Sequence, residues 1–240
     1  MAEPRLAIVV GANGGIGRAL LAALVRDKAY DQVIAMARNA QEPDQGALWI
    51  EADILDESSL KQAADRIRTL GQPVRIILAT GALHGQGLVP EKSMRALDPE
   101  GLARSFAINA IGPALVAKHL LPLTPRDTPS LFAALSARVG SIGDNHLGGW
   151  YGYRASKAAL NMLVHTLAIE HRRTRPLGLC VVLHPGTVNT DLSQPFQSAL
   201  PDGQVMTPAQ SAQALLSVMD GLTLADNGGF IDWNGVNIPW

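Results

Sequence analysis

A glycine-rich turn between an apolar run and a segment of helical period restricts this chain more than any other feature of its sequence. Leu6–Val10 is continuously apolar, and Gly11, Gly15 and Gly17 follow it where apolar residues begin to recur at intervals of three and four. Glycines in such a turn let backbone N–H groups and the amino end of a helix approach a pyrophosphate. No Lys-Ser or Lys-Thr follows the glycines, which excludes the phosphate loop of nucleoside triphosphatases. The turn therefore predicts a dinucleotide site, with an ordinary glycine-rich turn as the alternative. Its further candidate contacts are Asn13, Gly14 and Ile16.

Short apolar runs alternate with longer segments of helical period along the rest of the chain, which is the pattern of βαβ units. We predict strands at Leu6–Val10, Gln32–Met36, Leu48–Ala52, Arg75–Ala79, Ser130–Leu135, Leu179–Leu183 and Gly229–Trp233. We predict helices at Gly15–Arg26, Glu57–Leu70, Gly101–Leu121, Tyr151–Thr174 and Pro208–Gly221. Loops are expected at Gly81–Pro90, Gly140–Gly149 and Pro185–Gly203.

These strands are mostly continuous apolar runs, as expected when helices cover both faces of a sheet. The sequence thus predicts the α/β class, with a single doubly wound Rossmann domain over residues 1–240. Its mostly parallel sheet should have seven strands, with the nucleotide at their carboxyl ends and the loop at about 185–203 covering the substrate.

Composition narrows the range of partners. The chain has 20 Lys and Arg against 21 Asp and Glu, so its formal net charge is -1. A nearly neutral chain lacks the electrostatic footprint expected for nucleic acid or an anionic membrane, and a small-molecule ligand fits better. Cys180 is the single cysteine and the six histidines show no metal-ligand spacing, so neither a disulfide nor a metal site is expected. With no targeting segment or membrane span evident, we expect a cytoplasmic protein.

Arg38 bears on the choice of nucleotide. It stands roughly 20 residues after Gly17, at the end of the second predicted strand, where an acidic residue would bind the ribose 2′-hydroxyl of NAD. A guanidinium can instead bind a 2′-phosphate, which favours NADP(H) over NAD(H); a solvated arginine is the alternative. Asp53, after the third strand, could accept a hydrogen bond from an adenine amino group or could cap the next helix. Ile54 beside it is a further candidate contact.

Tyr153 and Lys157, near the start of a predicted helix, are the second chemical signal. Residues four apart project from the same helical face, so a phenol and an ammonium can share one site. A nearby ammonium favours the phenolate and should lower the tyrosine pKa from about 10 toward working pH, which suits a general acid and base. A surface Tyr–Lys pair is the alternative. Trp150 and Tyr151 are close enough in sequence to shape a pocket.

Four motifs, taken in order, resemble the short-chain dehydrogenase/reductase family over nearly the whole chain. They are the glycine turn, Asn109 in Phe106-Ala-Ile-Asn109, Tyr153-x-x-x-Lys157, and Pro185-Gly186-x-Val188-x-Thr190. Within that family, the stretch from Ser136 to Tyr153 resembles the C-factor and sniffer-type carbonyl reductase branch.

The resemblance implies an NAD(P)-dependent reductase of small aldehydes or ketones that assembles as a homodimer or homotetramer. Tyr153 would protonate the carbonyl oxygen, Lys157 would hold the nicotinamide ribose, and Asn109 would position a water. Without the family, Asn109 could equally be a buried helix asparagine satisfied by backbone. Pro185, Gly186, Val188 and Thr190 would line the nicotinamide. The rival interpretation is a nucleotide-binding signalling protein of C-factor type with little or no physiological turnover.

Two departures from the family concern the site. Ala79-Thr-Gly-Ala82 stands where the family has Asn-Asn-Ala-Gly, so Thr80, Gly81 and the backbone must replace the asparagines. The family's active-site serine aligns with Ala137, whereas counting back from Tyr153 reaches Ser141. The alternatives are that Ser136 donates a hydrogen bond to the substrate oxygen, that Ser141 does, or that neither does. Loss of such a donor costs roughly a hundredfold or more in rate.

Overall fold

A seven-stranded sheet forms the centre of the computed structural model, which describes residues 3–39, 46–85, 87–199 and 205–240. The strands are β1 (Arg5–Val10), β2 (Gln32–Ala37), β3 (Ala47–Glu51), β4 (Gln72–Leu78), β5 (Ser130–Leu135), β6 (Gly178–His184) and β7 (Phe230–Asp232). Their order in the sheet is β3-β2-β1-β4-β5-β6-β7, and each of these pairings is parallel. The strand order reverses between β1 and β4, which places a binding crevice at the carboxyl ends of these strands. The predicted doubly wound α/β fold is confirmed.

Helices cover both faces of the sheet. They are α1 (Gly15–Asp27), α2 (Glu57–Arg68), α3 (Pro99–Phe106), α4 (Gly112–Leu120), α5 (Tyr151–Thr174) and α6 (Pro208–Gly221). Along β1, Ile8 belongs to the core cluster shared with α2, α4 and α5, and Val9 belongs to the cluster shared with α1 and α6. Because successive strand residues enter opposite cores, the strands must be apolar at every position.

The single helix predicted over Gly101–Leu121 differs from the structure at its start and in its middle. Asp98 caps α3 by accepting a hydrogen bond from the Gly101 N–H over 2.7 Å, so the helix begins at Pro99. A π-helical turn, Ala107–Ile111, then separates α3 from α4. Turns of this kind are rare and frequently mark functional sites, and periodicity does not reveal them.

The helical run Pro99–Leu123 is also long and apolar enough to pass for a membrane span by composition. In its most apolar window, 44% is buried inside the structure. Val116, Ala117 and Leu120 belong to the core cluster beneath α5, so the apolarity of this run is that of a core helix.

Backbone hydrogen bonds join the two ends of the loop after β6. Val188 pairs with Met206 in an isolated bridge, in which the Asn189 N–H donates to the Met206 carbonyl over 2.8 Å. The Met206 N–H in turn donates to the Thr187 carbonyl over 2.9 Å. A short 3₁₀ segment, Gln194–Ala199, follows within the loop. Residues 200–203 of the predicted substrate loop lie outside the described residues.

Candidate active site

Close backbone packing accounts for two glycines of the turn. Gly11 has a φ of +84°, and a Cβ there would lie 2.9 Å from the carbonyl oxygen of Ala79. A Cβ on Gly17 would lie 2.2 Å from the carbonyl oxygen of Gly11. The Gly11 N–H donates to the Met36 carbonyl over 2.8 Å. These contacts press the turn against the carboxyl ends of β2 and β4.

The amino end of α1 fits an anionic group. Gly14 occupies its N-cap position and supplies no side-chain cap, and the first turn carries no acidic residue. Gly14 and Gly15 are exposed, while Ile16 packs on the core. Unpaired N–H groups at a helix start, with the helix dipole behind them, bind phosphate oxygens. This is the arrangement that a dinucleotide pyrophosphate requires.

The glycine turn lies against the loop that follows β6. A Cβ on Gly15 would lie 2.7 Å from Thr190 Cγ2, which puts these two predicted contacts side by side. Gly186 has a φ of +80°, and a Cβ there would meet Met206 Cε at 2.2 Å. Pro185 precedes it, and the Pro185 carbonyl accepts a hydrogen bond from the Ser211 hydroxyl over 2.8 Å.

Two buried polar atoms lie at the carboxyl edge of the sheet and have no hydrogen-bond partner in the described part of the chain. Thr80 Oγ1, after β4, and His184 Nδ1, at the end of β6, are buried and accept or donate no hydrogen bond among the described residues. A buried polar atom without a partner costs free energy, so a ligand that hydrogen-bonds these two atoms would stabilise the structure. Gly81 adjoins Thr80, and a Cβ there would lie 3.3 Å from Lys157 Nζ. These observations fit a polar cofactor that lies across the ends of β4 and β6.

Arg38 lies at the far end of the crevice as the first residue after β2. It is exposed, and within the described parts of the chain no group hydrogen-bonds or ion-pairs with its guanidinium. Asn13 links the glycine turn to this end, because its Nδ2 donates to the Asn39 carbonyl over 3.0 Å. Arg38 is thus available to a ligand beside the glycine turn.

Asp53 follows β3 and makes a local turn. Its Oδ1 accepts a hydrogen bond from the Leu55 N–H over 2.9 Å. The residue that caps α2 is Asp56, so the interpretation of Asp53 as the cap is wrong. Ile54 is buried and packs on Gly112, where a Cβ would lie 2.8 Å from Ile54 Cδ1.

Tyr153 and Lys157 share one face of α5, as the spacing predicts. The Nζ of Lys157 lies 5.9 Å from the centroid of the Tyr153 ring and donates to the Leu135 carbonyl, at the end of β5, over 2.9 Å. Tyr153 is 8% exposed and Lys157 is 2% exposed, so the pair is no surface pair. No residue that the structure describes forms a hydrogen bond with the Tyr153 hydroxyl.

Burial controls the proton affinities of this pair. It raises the pKa of Tyr153 above the ordinary 10.0, and it lowers the pKa of Lys157 to about 8. The expectation that Lys157 lowers the pKa of Tyr153 is therefore wrong for the protein alone. Loss of water around the phenol raises the pKa of Tyr153 by more than the nearby ammonium lowers it.

Asn109 lies in the π-helical turn with no exposed surface. Its Oδ1 accepts from the Ala82 N–H and its Nδ2 donates to the Ala82 carbonyl, both over 2.9 Å. Nδ2 also contacts Ser156 Oγ at 3.1 Å and Ser105 Oγ at 3.3 Å. The side chain therefore braces the loop after β4, in the manner of a buried asparagine satisfied largely by backbone.

Neither candidate serine offers its hydroxyl to the space beside Tyr153. Ser136 donates to Asn161 Oδ1 over 2.6 Å, and both residues are buried. Ser141 donates to the carbonyl of Pro239 and anchors the carboxyl-terminal residues. The third alternative, that neither serine is free to donate, describes this structure.

Aromatic residues from three loops, after β4, before α5 and after β6, complete the site. The rings of Trp150 and Tyr153 lie edge-on, with centroids 6.3 Å apart. The ring centroids of Phe196 and Trp150 are 4.9 Å apart. His84 contacts Phe196 at 5.8 Å, and its Nε2 lies 3.0 Å from the Asp191 carbonyl oxygen. No local pattern in the sequence marks His84 or Phe196, since each acquires its role by meeting residues far away in the chain.

Comparison with known proteins identifies the family. The family described as short chain dehydrogenase matches residues 5–201. This chain belongs to the short-chain dehydrogenase family. It is an oxidoreductase of the kind that uses NAD(P), and the resemblance inferred from its motifs is confirmed.

Two curated relatives extend the comparison. C-signal of Myxococcus xanthus is 39% identical over 145 residues, which cover 60% of this short-chain dehydrogenase and 81% of that protein. The 1-hydroxy-2-glutathionyl-2-methyl-3-butene dehydrogenase of Rhodococcus sp. (strain AD45) is 29% identical over 235 residues, which cover 97% and 98% of the two chains.

A solved structure agrees with the fold. Carbonyl reductase Sniffer of D. melanogaster superimposes with a TM-score of 0.83 at 22% identity, and the match covers 100% of each chain. This likeness shows the shared fold, and the resemblance to the C-factor branch is supported by C-signal.

Proposed function

We propose that this short-chain dehydrogenase reduces a small aldehyde or ketone to an alcohol with NADP(H), and that Tyr153 is its general acid and base. The observation that carries the proposal is the buried Tyr153–Lys157 pair beside the end of β5, in which the tyrosine hydroxyl has no hydrogen-bond partner among the described residues. A phenol whose hydroxyl is not engaged by any described residue is available to hydrogen-bond a substrate oxygen.

The direction of the pKa shifts suits reduction. Because burial raises the pKa of Tyr153, the hydroxyl is protonated at neutral pH and can donate to the carbonyl oxygen. When bound, NADPH supplies the hydride that adds to the carbonyl carbon. The Lys157 ammonium then stabilises the phenolate that forms on Tyr153.

Lys157 has a second task at the same position. One of its three N–H groups is engaged by the Leu135 carbonyl, which leaves two that can hold ribose hydroxyls near Gly81. Thr80 Oγ1, which is buried and has no partner among the described residues, would contact the cofactor in place of the asparagines found in the family. The substrate would lie under Trp150 and Phe196.

The preference for NADP(H) rests on Arg38. A planar, permanently charged guanidinium binds a 2′-phosphate bidentately, whereas the 2′-hydroxyl of NAD(H) gains little from it. The exposed, unpartnered state of Arg38 in the described chain and its position next to the turn braced by Asn13 support this assignment.

Assembly and location are inferred from the family and the composition. Ile111, Met162 and Ile169 are exposed apolar residues on the helices that carry Asn109 and Tyr153. They support pairing of two subunits through these helices into a homodimer or homotetramer, which analytical ultracentrifugation tests. We also propose a single-domain protein located in the cytoplasm.

A signalling role without turnover is the second candidate function. It is favoured by two observations, namely that neither Ser136 nor Ser141 is free to polarise a carbonyl and that C-signal is a relative. In that case the cofactor would bind but no carbonyl would be consumed.

Cofactor titration followed by turnover distinguishes the two candidates. NADPH and NADH are titrated by fluorescence, and aldehydes, diketones and quinones are then screened with the parent, Tyr153→Phe and the control Tyr30→Phe. The ring of Tyr30 lies beside Arg5, at the amino end of β1 and away from the crevice, so its variant should keep full activity. Turnover that Tyr153→Phe abolishes supports the reductase. Binding without turnover, or turnover indifferent to Tyr153, refutes it.

A further inference from the structure

The helix that carries Tyr153 has no cap of its own. The N-cap position of α5 is Trp150, which has φ 51° and ψ 44° and makes no side-chain cap hydrogen bond. An indole ring has no acceptor for the N–H groups of a first turn. Gly148 and Gly149 precede it with φ of +65° and +67°, so three consecutive residues have left-handed backbone. The start of α5 must therefore be held from elsewhere in the chain.

Glu91, 61 residues earlier, holds it. The carboxylate accepts the Gly152 N–H at 3.1 Å and 3.3 Å through its two oxygens. The backbone carbonyl of Glu91 accepts the Trp150 N–H over 2.6 Å. Glu91 is 9% exposed, and no basic side chain of the described ranges forms an ion pair with it. Its negative charge is balanced by the amino end of α5, where the helix dipole favours an anion.

The surroundings of Gly152 are shaped to this contact. A Cβ on Gly152 would lie 2.9 Å from Glu91 Oε1, 3.3 Å from Leu102 Cδ2 and 3.5 Å from Ser105 Cβ. Any side chain at 152 would therefore push the carboxylate or α3 away. Tyr153 is the next residue, and Glu91, Ser105 and Tyr153 border one small cavity beside the site.

We propose that Glu91 is a positioning residue for Tyr153: it caps α5 from the loop after β4 and fixes the first turn from which the phenol projects. The inference rests on the proposed function, since it assigns Glu91 a role in the chemistry of Tyr153. A displacement of about 1 Å at a catalytic group can cost on the order of a hundredfold in rate. Loss of the cap should therefore reduce kcat far more than it reduces cofactor affinity.

Three variants distinguish the effect of the length of the Glu91 side chain from the effect of its charge. Glu91→Ala removes the acceptor, Glu91→Asp keeps the charge but shortens the side chain by one methylene, and Glu91→Gln keeps both the length and one acceptor oxygen. At saturating NADPH and substrate we expect kcat to fall at least tenfold in the Ala and Asp variants. Glu91→Gln should retain at least a third of the parent kcat. The Kd for NADPH should stay within about twofold throughout.

Asp56→Ala is the matched control. Asp56 is also a carboxylate that caps a helix, α2, by accepting the Ser58 and Ser59 N–H groups. If Glu91 contributed stability alone, its variants and Asp56→Ala would lose thermal stability and leave kcat at saturation unchanged. A kcat of Glu91→Ala within twofold of the parent, or a parallel loss in Asp56→Ala, would overturn the inference. If Glu91→Ala does not fold, the contrast between the Asp and Gln variants decides by the same thresholds.

Amide hydrogen exchange gives a readout independent of activity. Glu91→Ala should speed exchange of the Gly152 N–H at least tenfold relative to amides in the middle of α5, and unchanged exchange would overturn the capping role. Turnover that survives Tyr153→Phe would refute the proposed function while leaving this cap measurable. Turnover lost in Tyr153→Phe but kept in a folded Glu91→Ala would refute the inference about Glu91 alone.

Discussion

The buried charge of Lys157 should lower the free energy of unfolding at neutral pH, and this cost should disappear above pH 10.5. The side chain is 2% exposed, and within the described residues no carboxylate forms an ion pair with it. Burial lowers its pKa from 10.5 to about 8. A tenfold change in proton affinity is worth about 1.4 kcal/mol, so holding the charged form in the folded state costs about 3 kcal/mol.

The sign of the pH dependence follows from which state binds more protons. Between pH 8 and pH 10.5 the folded protein has released the Lys157 proton while the unfolded chain still holds it. The unfolding free energy therefore rises with pH in this window. Below pH 8 the full cost is present, and above pH 10.5 it is gone.

Urea unfolding of the parent and of Lys157→Met, without cofactor and at pH 7, 8, 9 and 10.5, measures this cost. The unfolding free energy of Lys157→Met minus that of the parent should fall by about 3 kcal/mol from the lowest pH to the highest, because only the parent gains stability as pH rises. Lys61→Met, at an exposed position on α2, is the control and should show a constant difference. A difference for Lys157→Met that stays within about 0.5 kcal/mol over the range, or that grows with pH, would refute the reasoning.

The remaining predictions concern the nucleotide end and the serines. Arg38→Asp should raise KM for NADPH at least tenfold more than KM for NADH, because a carboxylate repels a 2′-phosphate; steady-state kinetics with both cofactors checks it, and equal effects would contradict it. Ser136→Ala should lower the unfolding free energy by about 1–3 kcal/mol in urea, since it leaves a buried acceptor unpaired, while kcat stays within about twofold. Ser141→Ala should likewise keep kcat, and a large loss of kcat in either variant would identify the polarising serine. Ala137→Ser should raise kcat by about tenfold or more if the reaction lacks a second donor to the carbonyl oxygen, and an unchanged kcat would show that another group already serves.

The layered fold could be predicted because its signals are local. Ser130–Leu135, Tyr151–Thr174 and Pro208–Gly221 have the bounds read from the sequence, since each is a run of one clear period between breakers. β4 begins at Gln72, three residues before the predicted start. A proline normally argues against a strand, but Pro73 pairs with β1 at a shift in register. The π-helical turn around Asn109 could not be predicted, because it leaves the apolar pattern of the helix intact.

The site could be predicted only in part. The Tyr153–Lys157 pair follows from helix geometry, which places residues four apart on one face whatever surrounds them. The direction of the Tyr153 pKa did not follow, because it depends on how far water is excluded from the phenol. The choice between Ser136 and Ser141 did not follow either, because each hydroxyl is engaged by a partner that only folding brings near.

The sequence by itself determined the α/β class, the glycine turn at the start of α1 and the shared face of Tyr153 and Lys157. These depend on hydrophobic period, on backbone freedom at glycine and on the pitch of a helix, which neighbours along the chain already express. Only the tertiary structure decided which hydroxyls are occupied, which aromatic rings cover Tyr153 and that Glu91 caps α5. Hydrogen bonds, solvent exclusion and ring contacts act over a few ångströms, and the chain reaches those distances between residues 61 positions apart only once the sheet and helices have packed.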